Sequence, residues 1–302
     1  MTLLDSPVLA HATRTGSTPL RRVSAEIMKI RTTNTWWLFG IGVVLITAEA
    51  LLRNGVSHHY DLHPQLAGLD AADKAQALAT AAQAHTHAGL AVITGDMMTS
   101  GQFLGVLFAM LIGVLVVTNE YSHQTATSTY LANPRRSTVI AAKFAAAACF
   151  GTLFWLVSTV IDVIVTPIYL HSQHLDLSLA DWVVVRSVLL NLLAFIMWAI
   201  FGLGLGTLIR SQIGSVITGM AAYLLGAAAV AVIFQLIHNV YHHAWVQGAI
   251  VIAPAVASLV MTTPGRAFDH APPQWAGLAI MAGYTLLLAT TGILATRRRD
   301  VS

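Results

Sequence analysis

Long apolar segments separated by short polar connections dominate the chain. A helix needs roughly 20 mostly apolar residues to cross a bilayer core of about 30 Å. Segments of about this length lie at residues 35–52, 102–118, 141–169, 182–208, 213–237 and 275–295. The pattern therefore predicts an all-α, polytopic membrane protein with six transmembrane helices.

A shorter apolar segment, residues 248–262, precedes the last of these spans and contains Pro254. It is too short to cross a bilayer comfortably. Irregular backbone at membrane depth is stable only where protein or a cavity surrounds it. We therefore expect a re-entrant helical hairpin before the last span.

The N-terminal segment, residues 1–34, contains a helix of another kind. Thr18 followed by Pro19 is typical of a helix start. Apolar residues then recur at helical spacing while basic residues occupy other positions, which predicts an amphipathic helix in the membrane interface. The alternative is a helix that packs against protein beside the first span. The apolar positions are Leu20, Val23, Ile27 and Ile30. We divide the chain into this cytoplasmic segment and a transmembrane domain, residues 35–302, whose external loop, residues 53–101, contains a helix beginning near Asp70.

Charged residues make up only 10% of the chain and hydrophobic residues 56%, which excludes an ordinary soluble domain. The basic residues are dispersed at the ends of apolar segments, so we expect no nucleic-acid partner. An excess of Lys and Arg marks the cytoplasmic side of a membrane protein. We therefore expect a multi-pass protein of the cell (plasma) membrane, in contact with membrane lipids and with both termini cytoplasmic. Twelve of the 16 basic residues fall on that side: Arg14, Arg21, Arg22, Lys29, Arg31, Arg135, Arg136, Lys143, Arg210, Arg297, Arg298 and Arg299.

The sequence contains no phosphate-binding loop, no His-Glu-x-x-His zinc helix and no Gly-x-Ser-x-Gly nucleophile elbow. Its acids are scattered, so we predict a non-catalytic chain without catalytic residues. Cys149 is the single cysteine, which excludes an intramolecular disulfide.

Eleven of the 13 histidines fall in segments that we assign to the external side, and imidazole is a common ligand of zinc and copper. Adjacent histidines without cysteine are a weak metal motif. We predict no metal site but leave metal binding by these histidines open. They are His58, His59, His63, His85, His87, His171, His174, His238, His242, His243 and His270.

Four polar side chains form a possible intramembrane polar site. Acids inside a membrane are costly and therefore mark candidate functional positions. Asp162 and Glu49 lie toward the external ends of their spans, and Asn191 and Gln235 add polarity to spans four and five. Glu49 has an alternative role, because it can pair with Arg53 one turn away.

The connection between the second and third spans is the most informative segment. Glu120 ends an apolar helix, a Thr- and Ser-rich stretch follows, and Pro134 turns the chain before two arginines. The pattern at residues 119–134 thus predicts a short helix that lies on the membrane surface and could bind a partner protein. A solvated amphipathic loop is the alternative.

These residues resemble the membrane subunits of ATP-binding cassette (ABC) transporters of the type-2 exporter class, in particular an actinobacterial-like branch. That family has a Glu-Tyr-Arg-His-x-Thr pattern, then Pro-Arg-Arg and a lysine that opens the next span. Ser122 and Gln124 depart from the pattern. The matching residues are Glu120, Tyr121, His123, Thr125, Leu131, Pro134, Arg135, Arg136 and Lys143.

The resemblance implies a permease subunit in which residues 119–134 are a coupling helix that transmits the closure of a separate ATPase to the spans. Two copies of the ATPase would serve two permeases, as a homodimer or a heterodimer, that meet mainly through their second and fifth spans. This chain would bind no cofactor, and ATP and magnesium would bind to the partner ATPase. The implied activity is export of an amphipathic substrate, such as a drug, antibiotic, peptide or lipid-like compound.

Two other functions stay open. A secondary transporter, or a membrane-anchored binding or signalling protein, would act without an ATPase. Many secondary transporters carry an inverted repeat, and we find no convincing repeat between the halves of this sequence. Association with an ATPase distinguishes these alternatives from the exporter.

Overall fold

The computed structural model of the chain describes residues 18–122, 136–176, 178–268 and 270–298. Regular structure in these ranges is helical throughout. The helices are α1 (Pro19–Arg31), α2 (Thr35–Leu62), α3 (Ala71–Ala84), α4 (His87–Met97), α5 (Gln102–Ser122), α6 (Arg136–Ser172), α7 (Trp182–Ile209), α8 (Gln212–Tyr241), α9 (Ala244–Gly248), α10 (Pro254–Thr262) and α11 (Gln274–Arg298).

Six helical segments of the described chain are long and apolar enough to cross a membrane, which confirms the predicted class of all-α, multi-pass membrane protein. The second of them, His87–Ser122, combines α4 and α5. The six are Thr35–Leu62, His87–Ser122, Ser137–Ser172, Trp182–Ile209, Gln212–Tyr241 and Gln274–Thr296.

The segment between the first two spans is more structured than its polar sequence indicates. α2 continues to Leu62 instead of ending near residue 52, and α3 begins after Asp70, whose carboxylate accepts a hydrogen bond from Asp73 N. α4 was not predicted, because it is short and follows a His-rich stretch. Its Ile93 and Met97 are nevertheless buried in a cluster with Leu51 of α2.

α5 lies at the centre of the bundle and packs most extensively against α7, which also contacts α6 and α11. A Cβ added at Gly113 would overlap the carbonyl oxygen of Ala199, and one at Gly202 would overlap that of Met110. Small residues allow such close backbone approach between membrane helices. These two glycines therefore allow α5 and α7 of the same chain to approach each other closely.

α9, a short 3₁₀ helix and α10 form a bent pair before the last span. Residues Trp245–Ile252 and Pro254–Thr262 meet at 105°, and the bend coincides with Pro254. Inside the bundle, Gln102 Nε2 at the start of α5 donates a hydrogen bond to Ser258 Oγ of α10 at 2.7 Å.

α1 begins at Pro19, as the sequence predicts, and packs mainly against α6. Its first turn is solvent-accessible, with Leu20 81% exposed, whereas Glu26 and Ile30 are buried. The helix thus presents an acid, not only apolar side chains, to the bundle.

Candidate functional site

Two acidic and two basic side chains meet where α1, α5 and α6 converge. Lys29 Nζ lies 2.7 Å from Glu26 Oε1 and 2.6 Å from Glu120 Oε1, and Lys143 Nζ lies 2.8 Å from both Glu26 Oε2 and Glu120 Oε1. We call these residues the ionic cluster. Each element contributes at least one charge, so the cluster joins all three helices.

The ionic cluster is internally neutral, with two acids and two ammonium groups. The side chains of Lys143, Glu26 and Glu120 are 4%, 7% and 7% exposed, so their charges depend on one another for stabilisation. Burial of the Lys29 side chain disfavours its charged form, but the hydrogen bonds and charges of Glu120 and Glu26 outweigh burial and raise the pKa of Lys29.

The ionic cluster holds both ends of the connection between the second and third spans. Glu120 lies in the last turn of α5, which ends at Ser122, and Lys143 lies about two turns into α6. Arg136 begins α6. The intervening residues of the proposed coupling helix lie outside the described part of the chain, including His123, Thr125, Leu131, Pro134 and Arg135.

Tyr121 links the same end of the bundle to another connection. The guanidinium of Arg210, between α7 and α8, lies 5.5 Å from the centre of the Tyr121 ring, a cation–π distance. Arg210 adopts a left-handed conformation, with φ of 56°, at the end of α7. The ends of α5 and α7 and the start of α6 are therefore joined at one face of the bundle.

A polar cavity of about 620 Å³ lies at the other end of α5. It is bounded by α2, by the turn between α4 and α5, and by the segment after α10. His58 Nε2 lies 2.9 Å from Asp96 Oδ2, and Asn54 Nδ2 donates to Ser100 Oγ at 2.9 Å. Gln102, near the start of α5, is 18 residues before Glu120, so about 27 Å of helix separates the cavity from the ionic cluster.

The four predicted intramembrane polar residues fall in different environments. Glu49 is exposed at the polar cavity and lies 3.8 Å from Arg53, as its alternative role predicts. Asp162 and Asn191 are fully buried, whereas Gln235 is exposed on α8 and donates to Asn239. No hydrogen bond or ion pair in the described chain joins the four, so they do not form a single observed site.

Glu26 and Lys29 were not predicted as site residues from the sequence. Glu26 is three residues after Val23 and four before Ile30, so it lies on the apolar stripe of α1, where an acid is out of place. That position was the available signal for a buried charge. Its partner on α6 could not be inferred, because 117 residues separate Glu26 from Lys143.

The histidines do not converge as a metal site in the described chain. No group of three or more His, Cys, Asp or Glu side chains is arranged to hold a metal ion in that part. His59 and His63 have ring centres 5.0 Å apart, and His58 is engaged with Asp96.

Comparison of the sequence with protein-family models gives no match, and comparison with curated proteins gives no significant relative.

Proposed function

We propose that this chain is the permease subunit of an ATP-driven exporter of the ABC type, coupled to a separate ATPase. The observation that carries the proposal is the ionic cluster, in which Glu120 and Lys143 hold the two helices that are connected by residues 123–135. A partner docked at this connection can transmit force to the bundle, because a displacement of either flanking helix moves the helices packed against it.

The sequence around this connection supports the same assignment. The stretch from Glu120 to Lys143 includes residues 123–135 and carries the motif that resembles the coupling segment of type-2 exporters. In the proposal, closure of the ATPase pushes on residues 119–134. The ionic cluster passes that movement to α1, which lies in the cytoplasmic interface, and to α5 and α6.

The cavities at the other end of the bundle support an amphipathic substrate. The polar cavity lines one side of α2, and an apolar cavity of about 600 Å³ lines another side of the same helix. The apolar cavity includes Leu52, Val56, Met97 and Tyr169. A molecule with polar and apolar parts would find complementary surfaces there. The bent pair α9–α10 acts as a re-entrant hairpin that closes this external end.

The proposal includes a second permease copy. Only 11% of the residues in the most apolar stretch of α8 are buried within this chain, whereas 83% of those in the second span are buried. A second copy would therefore contact α8, the fifth span, much more extensively than the central second span. The sequence resemblance implied that the second and fifth spans both meet the other copy. The proposal places this contact mainly on the fifth span.

Co-purification with the ATPase tests the proposal. The full chain is isolated in detergent from membranes of its source cells, and bound P-loop ATPases are identified and quantified by mass spectrometry. A variant has residues 123–135 replaced by a Gly/Ser linker of equal length, and a control has residues 64–69, at the other end of α2, replaced in the same way.

We expect a stoichiometric ATPase with the wild type and the control, and none with the 123–135 variant. Equal recovery of the ATPase with all three proteins would contradict the coupling role. Absence of any ATPase from the wild type, together with substrate movement by the isolated chain, would favour a secondary transporter.

A further inference from the structure

A cluster of buried oxygen atoms lies beside the polar cavity, at the junction of α2, α6 and the turn between α4 and α5. Ser158 Oγ is its centre. It lies 3.1 Å from Thr47 Oγ1, 3.4 Å from the carbonyl oxygen of Ser100 and 3.5 Å from Asp162 Oδ2. Thr47, Ser158 and Asp162 are at most 1% exposed.

The hydrogen atoms available in this cluster cannot satisfy its acceptors. Thr47 and Ser158 each supply one hydroxyl hydrogen. Thr47 donates to Ser158, and Ser158 has a single hydrogen for both the Ser100 carbonyl and the Asp162 carboxylate. The other carboxylate oxygen, Asp162 Oδ1, has no hydrogen-bond partner in the described chain.

No Lys, Arg or His forms an ion pair with Asp162 within the described residues. A charged carboxylate at membrane depth is expensive without a compensating charge. We propose that Asp162, Ser158, Thr47 and the Ser100 carbonyl form a binding site for a dehydrated Na⁺ ion.

The donor set and its spacing fit this ion. Carboxylate, hydroxyl and carbonyl oxygens are the ligands of hard cations, and the cluster contains no nitrogen or sulfur ligand. Na⁺ has nearly the radius of Ca²⁺, whose metal–oxygen distances of about 2.4 Å place adjacent ligands of an octahedral shell about 3.4 Å apart. The three oxygen–oxygen distances, from 3.1 to 3.5 Å, match this separation. One carboxylate supplies one negative charge, which a monovalent cation neutralises.

The backbone of the second span supplies the carbonyl because the helix is broken there. α4 ends at Met97 and α5 begins at Gln102, with Gly101 at φ of 76° between them. Broken membrane helices expose carbonyl oxygens that coordinate cations. Ser100 also lines the polar cavity, so an ion can approach from there, past Glu49 and Asp96.

Na⁺ binding to the purified full chain in nanodiscs tests the proposal without any ATPase. Binding of radioactive Na⁺ is measured at constant ionic strength with choline as the replacement cation, and K⁺ and Ca²⁺ are used as competitors. We expect saturable binding that unlabelled Na⁺ displaces and that K⁺ displaces at least about ten-fold less well. We also expect NaCl to raise the unfolding temperature above its value in choline chloride.

Three variants locate the site. We expect Asp162→Asn to abolish binding and Ser158→Ala to weaken it about ten-fold, which corresponds to about 1.4 kcal/mol for one lost ligand. The control Asp73→Asn, which changes an exposed acid of α3 that does not line the polar cavity, should retain wild-type binding. Size-exclusion chromatography checks that each variant is folded, and the wild-type and Ser158→Ala measurements decide the question if Asp162→Asn does not fold.

The absence of saturable Na⁺ binding by the wild type would overturn the proposal, as would undiminished binding by Asp162→Asn. A different outcome identifies a proton as the ion that neutralises Asp162. In that case acidification stabilises the wild type equally in NaCl and in choline chloride, and Na⁺ adds nothing at any pH.

Discussion

Replacing Lys143 with methionine is the sharpest test of the ionic cluster. Methionine keeps much of the length of the side chain but removes the ammonium that contacts Glu26 and Glu120, both at 2.8 Å. The two carboxylates, each 7% exposed, then lose one of the two ammonium groups that contact both of them, and the four cluster residues carry a net negative charge.

The loss is large because the carboxylates cannot regain water. Removing one partner of a buried ion pair costs about 3–5 kcal/mol. Lys29 contacts the same two acids, but its side chain is 43% exposed, so water screens its charge. We therefore expect Lys29→Met to cost about 1 kcal/mol or less. The contrast between the two lysines comes from burial, since their distances to the acids are similar.

Reversible unfolding by SDS in mixed micelles, followed by tryptophan fluorescence, measures these free energies. The double variant Lys143→Met/Glu26→Gln restores equal numbers of positive and negative charges in the cluster. It should therefore recover at least about 1 kcal/mol relative to Lys143→Met. A loss below about 1 kcal/mol for Lys143→Met, or no recovery in the double variant, would refute the account of the cluster as a buried, mutually dependent set of charges.

Three further predictions use the same unfolding assay. Gly101→Ala should lower the free energy of unfolding by at least about 1 kcal/mol, because φ at Gly101 is 76° and the added Cβ would lie 2.8 Å from Thr47 Cα. The control Gly40→Ala has open space around the added Cβ and should be nearly neutral. Equal effects of the two substitutions would contradict the argument from backbone strain. Gly202→Ala should lower the free energy of unfolding by about 1–3 kcal/mol, because the added Cβ forces α7 away from the Met110 carbonyl of α5. The control Gly226→Ala adds its Cβ to open space and should have little effect. An unchanged stability of Gly202→Ala would show that the two helices can move apart without loss. Because the pKa of Lys29 is raised in the folded protein, its contribution to stability is fully present below pH 10.5 and is lost as the pH rises through the higher folded value. The stability difference between wild type and Lys29→Met should therefore stay constant up to about pH 10.5 and shrink above it. A difference that shrinks well below pH 10.5 would contradict the raised pKa.

The spans could be predicted from the sequence because each is a long apolar segment, and a bilayer requires that length whatever the tertiary contacts are. α4 escaped prediction for the opposite reason. It has only 11 residues and follows a polar, His-rich stretch, and its burial depends on contacts with α2 and α6. Its relation to α5 depends on the turn at Gly101, whose positive φ is a property of the folded backbone.

Only part of the candidate site could be predicted from the sequence. The resemblance included Glu120 and Lys143 because both belong to a local motif. Lys143 also pairs with Glu26, which lies 117 positions earlier in the sequence, and no local pattern encodes that contact. Asp162 stood out as an acid within a span, but its hydroxyl and carbonyl neighbours come from three different elements. Side-chain chemistry can thus indicate candidates, whereas partners that are distant in sequence require the fold.

ATP hydrolysis in nanodiscs is the most direct test of the proposed function. The chain is reconstituted with the ATPase that co-purifies with it, and hydrolysis is measured with and without amphipathic compounds. We expect the chain and at least one such compound together to raise the rate above that of the ATPase alone, and the Gly/Ser replacement of residues 123–135 to remove this stimulation. An ATPase rate that is independent of this chain, or transport by this chain in liposomes without ATP, would contradict it.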